Sequence, residues 1–428
     1  ERLDDRLNAV IHHQFESALE QAASPELPAG PFRGVPMLIK DLWAEEAGQP
    51  HHAGVQALKD ADLRSTIDSN LVLRYREAGF INVGRTNTPE LGLVATTEPR
   101  SYGPSRNPWS TDHGTGGSSG GAAAAVASGM LPAANASDGG GSIRIPAAVN
   151  GLVGLKPTRG RLAQDAMLRG QPVRIVSDGV VTRSVRDTAA LFREAEKVYR
   201  PLKLPPIGDI TRPGKQRLRV AVHTGGAGRS ADADTVAATW RTATLLEELG
   251  HHVEEVPAPV PDSFPDDFLL YWATLAGALV AGGRRNHGRT FDRSRLDPLT
   301  MGLARHAARS AHRIPGAIAR LRRTAGQAER FHERWDVALT PTLASAAPPI
   351  GHLPPEPGFE QVMERLLDWV VFTPWQNATG APAVSLPLAT TAEGLPLGMM
   401  LAAAPGREAL LLELSYELEQ ARPFPTLP

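Results

Sequence analysis

The sequence has 428 residues, a formal net charge of −1 at pH 7, 42% apolar residues and no cysteine. The apolar content suffices for a sizeable core, and the balanced charge gives no overall field that favours nucleic acid or a membrane surface. The lack of cysteine excludes disulfides, thiolate metal ligands and a cysteine nucleophile, and leads us to expect a cytoplasmic protein. Because the chain begins at Glu1 without a methionine, we also expect that part of the natural N-terminus is absent.

The N-terminal part of the chain contains one short apolar run that ends in a lysine. Residues 35–41, VPMLIKD, predict a buried strand with Lys40 near its end. Before it, the helical spacing of apolar residues over 1–23 predicts an amphipathic helix. The following segments predict, in chain order, a loop over 44–61, a helix over 65–79, a strand over 80–84 and a loop over 102–115.

Two glycine clusters, each carrying serine, lie between residues 114 and 146. The first reads GGSSGG at 116–121 and contains Ser118, and the second reads DGGGSIRIP at 138–146 and contains Ser142. A predicted helix of small residues over 121–129 and a short run over 131–137 connect them. Glycine has no Cβ, so such loops permit unusual backbone angles and close approach of another molecule. Ser142 can therefore present its hydroxyl beside unobstructed N–H groups, as an acyl-transfer site requires.

A serine nucleophile needs a base, and Lys40 is the candidate. Burial at the end of an apolar strand is expected to lower the pKa of its amine, which then accepts a proton at neutral pH. The Lys40 segment, the GGSSGG loop and the DGGGSIRIP loop together resemble the amidase signature family of serine hydrolases. The resemblance implies a Ser–cisSer–Lys triad with Ser142 as nucleophile, Ser118 as bridging serine and Lys40 as base.

The resemblance also implies roles for the residues around Ser142. The N–H groups of Gly139, Gly140 and Gly141 are expected to form the oxyanion hole. Three further residues are expected to support the loops rather than take part in the chemistry: Ser119, Asp138 and Arg144. Many relatives carry a larger residue at position 139, so glycine there is expected to change the shape of the pocket. No metal and no organic cofactor is expected.

The C-terminal half alternates between strand and helix patterns. Predicted elements are strands over 151–157, 180–185, 217–223 and 252–256, helices over 186–196 and 231–250, and a proline-rich linker over 201–213. This β–α–β pattern favours a mixed or parallel sheet flanked by helices. Residues 264–335 predict mainly helices, rich in arginine between 284 and 334, which we interpret as a solvated face or a cap over the site rather than a nucleic-acid footprint. The family pattern resumes at 335–342, 372–388 and 394–400, and 407–419 predicts a closing helix.

The resemblance implies an α/β amidase signature fold, with a twisted, mostly parallel mixed sheet covered by helices on both faces. One amidase domain is expected to span 1–428, with 200–335 as a more divergent, largely helical peripheral part. The implied reaction is hydrolysis of the C–N bond of an amide, without nucleic-acid or membrane partners, by a monomer or homodimer. The motifs look closest to 6-aminohexanoate cyclic-dimer hydrolases, aryl acylamidases and urethane-cleaving amidases. Candidate substrates are therefore anilides, cyclic or linear aliphatic amides, and carbamates.

Three other readings of the glycine loops stay open at this point. Residues 116–120 also fit G-x-S-x-G, the nucleophile elbow of α/β-hydrolase esterases, although the residues before it are polar and turn-like rather than a strand. A phosphate-binding loop is disfavoured because no lysine directly follows either cluster. Within the family, an amidotransferase subunit uses the same triad to release ammonia inside a multi-subunit complex.

Overall fold

The fold is built around one large β-sheet. The computed structural model describes residues 2–354 and 358–427. The N-terminal elements are, in chain order, α1 (Asp4–Leu7), β1 (Val10–His13), α2 (Phe15–Ala23), β2 (Pro36–Lys40), α3 (Gln56–Asp60), α4 (Asn70–Glu77), β3 (Ile81–Thr86), β4 (Arg106–Asn107) and β5 (Ser110–Gly114).

The two glycine clusters and the segment after them form the middle of the chain. Its elements are α5 (Gly120–Ala127), β6 (Ala133–Asp138), α6 (Arg144–Asn150), β7 (Val153–Lys156), α7 (Ala166–Arg169), β8 (Ser177–Thr182) and α8 (Val185–Val198). The C-terminal half contains β9 (Arg219–Val222), β10 (Gly225–Gly226), β11 (Arg229–Ser230), α9 (Ala233–Glu248), β12 (His252–Glu255), α10 (Phe264–His287), α11 (Pro298–Arg309), α12 (Ile314–Arg334), β13 (Val337–Pro341), α13 (Phe359–Trp369), α14 (Pro374–Thr379), β14 (Ala383–Thr390), β15 (Pro396–Ala403) and α15 (Glu408–Ala421).

Within the described residues the main sheet has 11 strands in the order β1-β3-β2-β6-β8-β7-β14-β15-β13-β9-β12. The α/β class and the mixed sheet agree with the prediction, but the sheet is less parallel than expected. Four neighbouring pairs run parallel and six run antiparallel. One reason is local: β14 and β15 are joined by a tight turn, where Thr391 N–H donates to the Leu395 carbonyl at 2.8 Å. Such a short connection can only join antiparallel strands.

Helices cover both faces of the sheet. On one face Leu386, Met399 and Leu401 pack into a core with residues of α8, α9 and α15. Successive strand residues point to opposite faces, so Gly398 lies on the other side. There its missing side chain leaves room for α6, because a Cβ on Gly398 would lie 2.4 Å from the Ala148 Cβ. Helix α6, which follows the second glycine cluster, is thereby held directly against the sheet.

The prediction of one helix over 1–23 is wrong, because β1 interrupts it. Val10–His13 pairs antiparallel with β3 at an edge of the sheet. The pairing partner lies about 70 residues away, so local spacing could not reveal it. Two predicted loops also contain regular structure: α3 lies within 44–61, and the β4–β5 hairpin lies within 102–115.

The helix predicted over 65–79 begins later, at Asn70, where the Ser69 hydroxyl caps the N–H of Val72 at 3.3 Å. The predicted strands over 80–84, 151–157, 217–223 and 252–256 and the helices over 121–129, 186–196, 231–250 and 407–419 are present, with bounds shifted by a few residues.

Residues 200–335 supply more than peripheral helices. Strands β9 and β12 continue the main sheet beyond β13, and α10, α11 and α12 form the helical part that the sequence predicts. The interpretation of the chain as a single domain stays a prediction. In the part of the chain described, no helix is both long and apolar enough to cross a membrane.

Candidate active site

Lys40 lies at the end of β2, with its side chain completely buried. Its Nζ is 2.7 Å from the Ser118 Oγ and 3.1 Å from the Ser137 Oγ. The backbone N–H of Lys40 donates to the Asn135 side chain at 3.2 Å, which ties β2 to β6. The lysine is therefore fixed in position between two hydroxyl groups.

Burial lowers the pKa of Lys40 to about 7, although the nearby carboxylates of Asp138 and Asp178 act in the opposite direction. An ammonium group is poorly stabilised away from water, so its deprotonated form is favoured there. A large fraction of the amine is consequently neutral near pH 7, which is the form that can accept a proton.

Ser118 lies in the first glycine cluster, and the Gly117–Ser118 peptide bond is cis. Its carbonyl accepts a hydrogen bond from the Thr88 hydroxyl at 2.9 Å. Gly117 is required by close packing, because a Cβ there would lie 2.5 Å from the Thr96 carbonyl oxygen. The cluster thus presses tightly against the 88–96 segment and presents the Ser118 hydroxyl to Lys40.

Ser142 lies between the end of β6 and the start of α6. Its side chain is 8% exposed, and it faces the same cavity as Ser118. Gly141 has φ of 135°, and a Cβ on it would lie 2.3 Å from the Thr373 Oγ1, so only glycine fits there. The structure therefore brings the three predicted residues, Lys40, Ser118 and Ser142, to one place.

The N–H groups of the second cluster are not equivalent. The N–H of Gly141 donates to the Asp138 carboxylate at 2.7 Å, so it is already engaged. Within residues 2–354 and 358–427, the N–H groups of Gly139, Gly140 and Ser142 have no recorded protein acceptor. These three donors are available to an oxyanion, whereas the predicted set also included the N–H of Gly141, which Asp138 occupies.

Asp138 and Arg144 form a buried ion pair that shapes this loop. Arg144 Nε and Nη2 donate to the Asp138 carboxylate at 2.9 and 3.0 Å, and both side chains are fully buried. Burial by itself would raise the pKa of Asp138, but the Arg144 guanidinium outweighs it and holds the pKa at about 2. The same carboxylate accepts the N–H groups of Gly141 and Ile143, at 2.7 and 3.3 Å.

Helix α14 and the residue before it complete the support. Asn377 donates to the Asp138 carboxylate at 2.8 Å and accepts from Arg144 at 2.7 Å. The Thr373 hydroxyl donates to the Gly140 carbonyl at 2.7 Å. The sequence pointed to this segment only through the family resemblance over 372–388, and no local signal linked either side chain to Asp138.

Ser119, which the sequence predicts as loop support, contacts β6. Its hydroxyl contacts the Ser137 backbone, 3.3 Å from the carbonyl oxygen and 3.4 Å from the N–H nitrogen. The contact joins the first glycine cluster to β6. No cluster of three or more His, Asp or Glu side chains that could hold a metal ion occurs among the residues described.

Two cavities meet at Ser142. The first encloses about 1330 Å³ including its open mouth, and Gly140 lies on its wall. Six aromatic side chains line it: Phe264, Phe268, Trp272, Phe331, Phe372 and Trp375. The second cavity is lined by Ser118, Ser137 and Gly139, together with residues of α7 and α10.

Trp272 on α10 lies on the wall of both cavities. Its indole N–H donates to the Leu93 carbonyl at 3.1 Å, which fixes the ring. A Cβ on Gly139 would lie 3.1 Å from the Trp272 ring, so glycine at this position makes room for the tryptophan. The sequence predicted an altered pocket at Gly139, but the residue that fills the space is 133 positions away and could not be identified. Because α10 and α12 line the first cavity, the arginine-rich region contributes walls of the site, in line with a cap.

The chain was compared with known families and curated proteins. A family model described as amidase matches residues 1–412. A "Putative amidase AmiC" of Mycobacterium tuberculosis strain H37Rv is 52% identical over 425 residues, which cover 99% of this chain and 89% of that protein. A "6-aminohexanoate-cyclic-dimer hydrolase" of Paenarthrobacter ureafaciens is 34% identical over 445 aligned residues, covering 99% of this chain and 89% of that protein.

Solved structures give the same picture. A 6-aminohexanoate cyclic dimer hydrolase superposes with a TM-score of 0.88 at 33% identity, covering 99% of this chain and 91% of that one. A bacterial aryl acylamidase superposes with a TM-score of 0.85 at 28% identity, covering 98% of this chain and 90% of that one. The family model and these relatives span nearly the whole described chain, so the chain belongs to the amidase signature family and is an amidase that hydrolyses amide bonds.

Proposed function

We propose that this amidase cleaves its substrate through an acyl-enzyme on Ser142, with Ser118 and Lys40 as the proton relay. The observation that carries the proposal is the 2.7 Å contact between the Lys40 Nζ and the Ser118 Oγ, in a cavity that Ser142 also lines. A hydroxyl group both accepts and donates a proton, so Ser118 can pass one between Ser142 and the buried amine.

In the first half-reaction the neutral Lys40 amine accepts the Ser118 proton while Ser118 accepts the Ser142 proton. The Ser142 oxygen then forms a bond to the carbonyl carbon, and the carbonyl oxygen becomes an oxyanion. The free N–H groups of Gly139, Gly140 and Ser142 stabilise that charge. Asp138 and Arg144 contribute by holding the loop that presents these donors.

Collapse of the tetrahedral intermediate breaks the C–N bond. An amide anion is a very poor leaving group, so the nitrogen must receive a proton as the bond breaks. That proton returns from Lys40 through Ser118, leaving a neutral amine and an ester on Ser142. Water then repeats the path: it loses a proton to the relay, attacks the ester, and releases the acid and the Ser142 hydroxyl.

The two cavities orient the substrate in this mechanism. A group that protonates the leaving nitrogen must lie within hydrogen-bond reach of it. Ser118 lines the second cavity but not the first, so the amine portion occupies the second and the acyl portion occupies the first. The aromatic wall of the first cavity favours an apolar acyl group over a compact, strongly polar one.

Within this class, anilides, cyclic or linear aliphatic amides and carbamates are the candidate substrates, and esters are expected to react as well. The protein is expected to work as a monomer or homodimer on a small molecule. An amidotransferase subunit that releases ammonia only within a complex is the competing role. Turnover of simple amides by the purified chain alone contradicts that competing role.

The test is a panel of anilides, aliphatic amides, carbamates and esters, with the wild type, Ser142→Ala and Ser119→Ala. We expect Ser142→Ala to lose at least about a thousandfold in kcat/KM with its fold retained, because the attacking group is gone. Ser119→Ala is the matched control, and it keeps most of the activity. A fluorophosphonate probe is expected to label Ser142, whereas labelling of Ser118 instead contradicts the assignment.

A further inference from the structure

The first cavity is apolar near Ser142 but carries two histidines farther along its wall. His223 follows β9, and His332 is near the end of α12; both line this cavity. Two contacts connect His223 with the glycine cluster. The Gly140 carbonyl accepts a hydrogen bond from the Thr373 hydroxyl, and the ring of the adjacent Phe372 has its centroid 6.4 Å from that of His223. His332 stands against Phe331, which packs on the same cluster as Phe372. Both imidazoles therefore lie on the wall of the cavity that Gly140 and Ser142 also line, next to its aromatic side chains.

The hydrogen bonds of each ring fix its tautomer. The His223 Nδ1 is 3.1 Å from the Gly225 carbonyl oxygen, and the His332 Nδ1 is 3.1 Å from the Trp335 carbonyl oxygen. A carbonyl oxygen can only accept, so Nδ1 carries the proton in both rings. Burial lowers the pKa of each histidine, which keeps both rings neutral at pH 7. Each Nε2 is then an unprotonated hydrogen-bond acceptor, and no protein group among the described residues donates to it.

The charges around this cavity limit what these acceptors can bind. Among the described residues of its wall, Arg229 is the side chain with a full charge, and it is paired with Glu364 at 3.1 Å and Asp368 at 3.0 Å. Among its described residues, the wall offers no carboxylate for a cationic ligand and no unpaired cation for an anionic one. A neutral donor, such as a hydroxyl or an amide N–H, satisfies Nε2 without burying a charge.

We propose that His223 and His332 select acyl groups that carry a neutral hydrogen-bond donor, a hydroxyl or an amide N–H, beyond an apolar spacer. This inference rests on the proposed function, which places the acyl portion in the first cavity. An acceptor left without a partner in an apolar cavity is costly, so acyl groups that lack the donor bind less well.

The experiment compares anilides with one leaving group and different acyl chains: hexanoyl, 6-hydroxyhexanoyl, 6-acetamidohexanoyl, 5-carboxypentanoyl and 6-aminohexanoyl. Shorter and longer hydroxyacyl chains locate the best spacer. For the wild type we expect kcat/KM to favour the best hydroxyacyl or acetamidoacyl chain over its plain acyl counterpart by about fivefold to tenfold, the worth of one neutral hydrogen bond. The charged chains are expected to be poorer than both.

His223→Phe and His332→Phe keep a ring in place but remove the acceptor. In at least one of these variants we expect kcat/KM for the donor-bearing acyl chain, divided by kcat/KM for the plain acyl chain, to fall toward a ratio of one. His223→Gln retains a carbonyl acceptor and is expected to restore part of the preference lost in His223→Phe. An unchanged preference in both phenylalanine variants, or a preference for either charged chain, overturns the proposal.

A binding measurement separates this inference from the proposed mechanism. Calorimetry with Ser142→Ala compares the affinities of the hydroxyacyl and plain acyl anilides without turnover. A donor preference in binding that His223→Phe or His332→Phe removes supports the inference even if Ser142 is not the nucleophile. Full activity of Ser142→Ala contradicts the proposed mechanism. Equal affinities for the hydroxyacyl and plain acyl anilides contradict the inference about the two histidines.

Discussion

Two buried lysines of the same sheet, the proposed base Lys40 and Lys156, differ in the atoms that their amines contact. Lys40 on β2 and Lys156 on β7 are both completely buried, and burial lowers the pKa of each to about 7. Their partners differ. The Lys40 Nζ contacts the hydroxyls of Ser118 and Ser137, whereas the Lys156 Nζ donates to the Pro157 carbonyl at 2.9 Å. A carbonyl oxygen has no proton to pass on, so Lys156 is outside any relay.

The comparison teaches that burial makes a lysine a usable base but does not assign it a task. We propose that the contacted atom decides the role of the lysine. Of these two lysines, Lys40 is the one whose amine contacts hydroxyl groups that line the cavity with Ser142. The charges around Lys156 point the same way. After burial, Arg144 lowers its pKa and Asp138 raises it, and among the described residues its amine donates no hydrogen bond to a hydroxyl group.

The most direct test of the difference between the two lysines is to remove each amine by substitution. We expect Lys40→Ala to reduce kcat/KM for an anilide by about a thousandfold to ten-thousandfold, because both the base and the final proton donor are lost. Lys156→Met is the matched control and is expected to stay within about threefold of the wild type. Similar losses in the two variants would show that the hydroxyl partner does not decide the role.

A second test asks which half of the relay matters more. An ester leaving group departs without prior protonation, whereas an amine does not. With one acyl group shared by an anilide and an ester, we expect Lys40→Ala to lose at least about tenfold more activity on the anilide than on the ester, roughly 1.4 kcal/mol of transition-state stabilisation. Equal losses on both substrates would restrict Lys40 to positioning the loops.

The pH dependence sharpens the comparison further. Because the Lys40 pKa is about 7 and the proposed mechanism uses the neutral amine, kcat/KM of the wild type should rise with pH and level off above about 7. Below that pH it should fall about tenfold per unit. We expect the same rise of kcat/KM with pH in Lys156→Met and no such rise in Lys40→Ala. If the rise of kcat/KM with pH disappears in Lys156→Met, then Lys156 rather than Lys40 is the group that titrates.

The smallest effect concerns stability. Since the pKa of Lys156 falls from 10.5 to about 7 on folding, the folded protein binds fewer protons than the unfolded chain between these values. Wild-type stability therefore rises with pH through this window. Lys156→Met loses the bond to the Pro157 carbonyl, worth about 1 kcal/mol, but also the penalty of burying the amine. Denaturant titration gives the free energy of unfolding of both proteins. We expect the value for Lys156→Met minus the value for wild type to be larger near pH 7 than at pH 9.5.

The sequence pointed to the three residues of the proposed relay and to Asp138 and Arg144 beside them, but it did not single out Asn377 and Thr373, which also hold the loop. Lys40 was predicted because an apolar run ends in a cation, and Ser118 and Ser142 because they lie in glycine clusters that match the family. Asn377 could not be found, because it reaches Asp138 across 239 positions and nothing local marks it. Such contacts depend on how β6 and α14 pack in three dimensions.

The fold divides in the same way. Helices with capping residues and strands with apolar runs were predicted well, as for 186–196 and 151–157. Strand direction and the β1–β3 pairing were not, because both depend on partners distant in the chain. The proposed oxyanion donors are an intermediate case. The sequence marks the glycine cluster, but the hydrogen bond from the Gly141 N–H to Asp138 depends on the folded loop.

The position of Trp272 between the two cavities has a consequence for what the enzyme can make. Under the proposed orientation, the amine product leaves through the second cavity while the acyl group stays esterified in the first. The vacated cavity then admits any nucleophile small enough to reach Ser142, and water competes there with added amines or hydroxylamine. The ratio of acid to newly formed amide thus depends on the concentration of the added amine. The same arrangement of two cavities that supports hydrolysis therefore also permits amide synthesis.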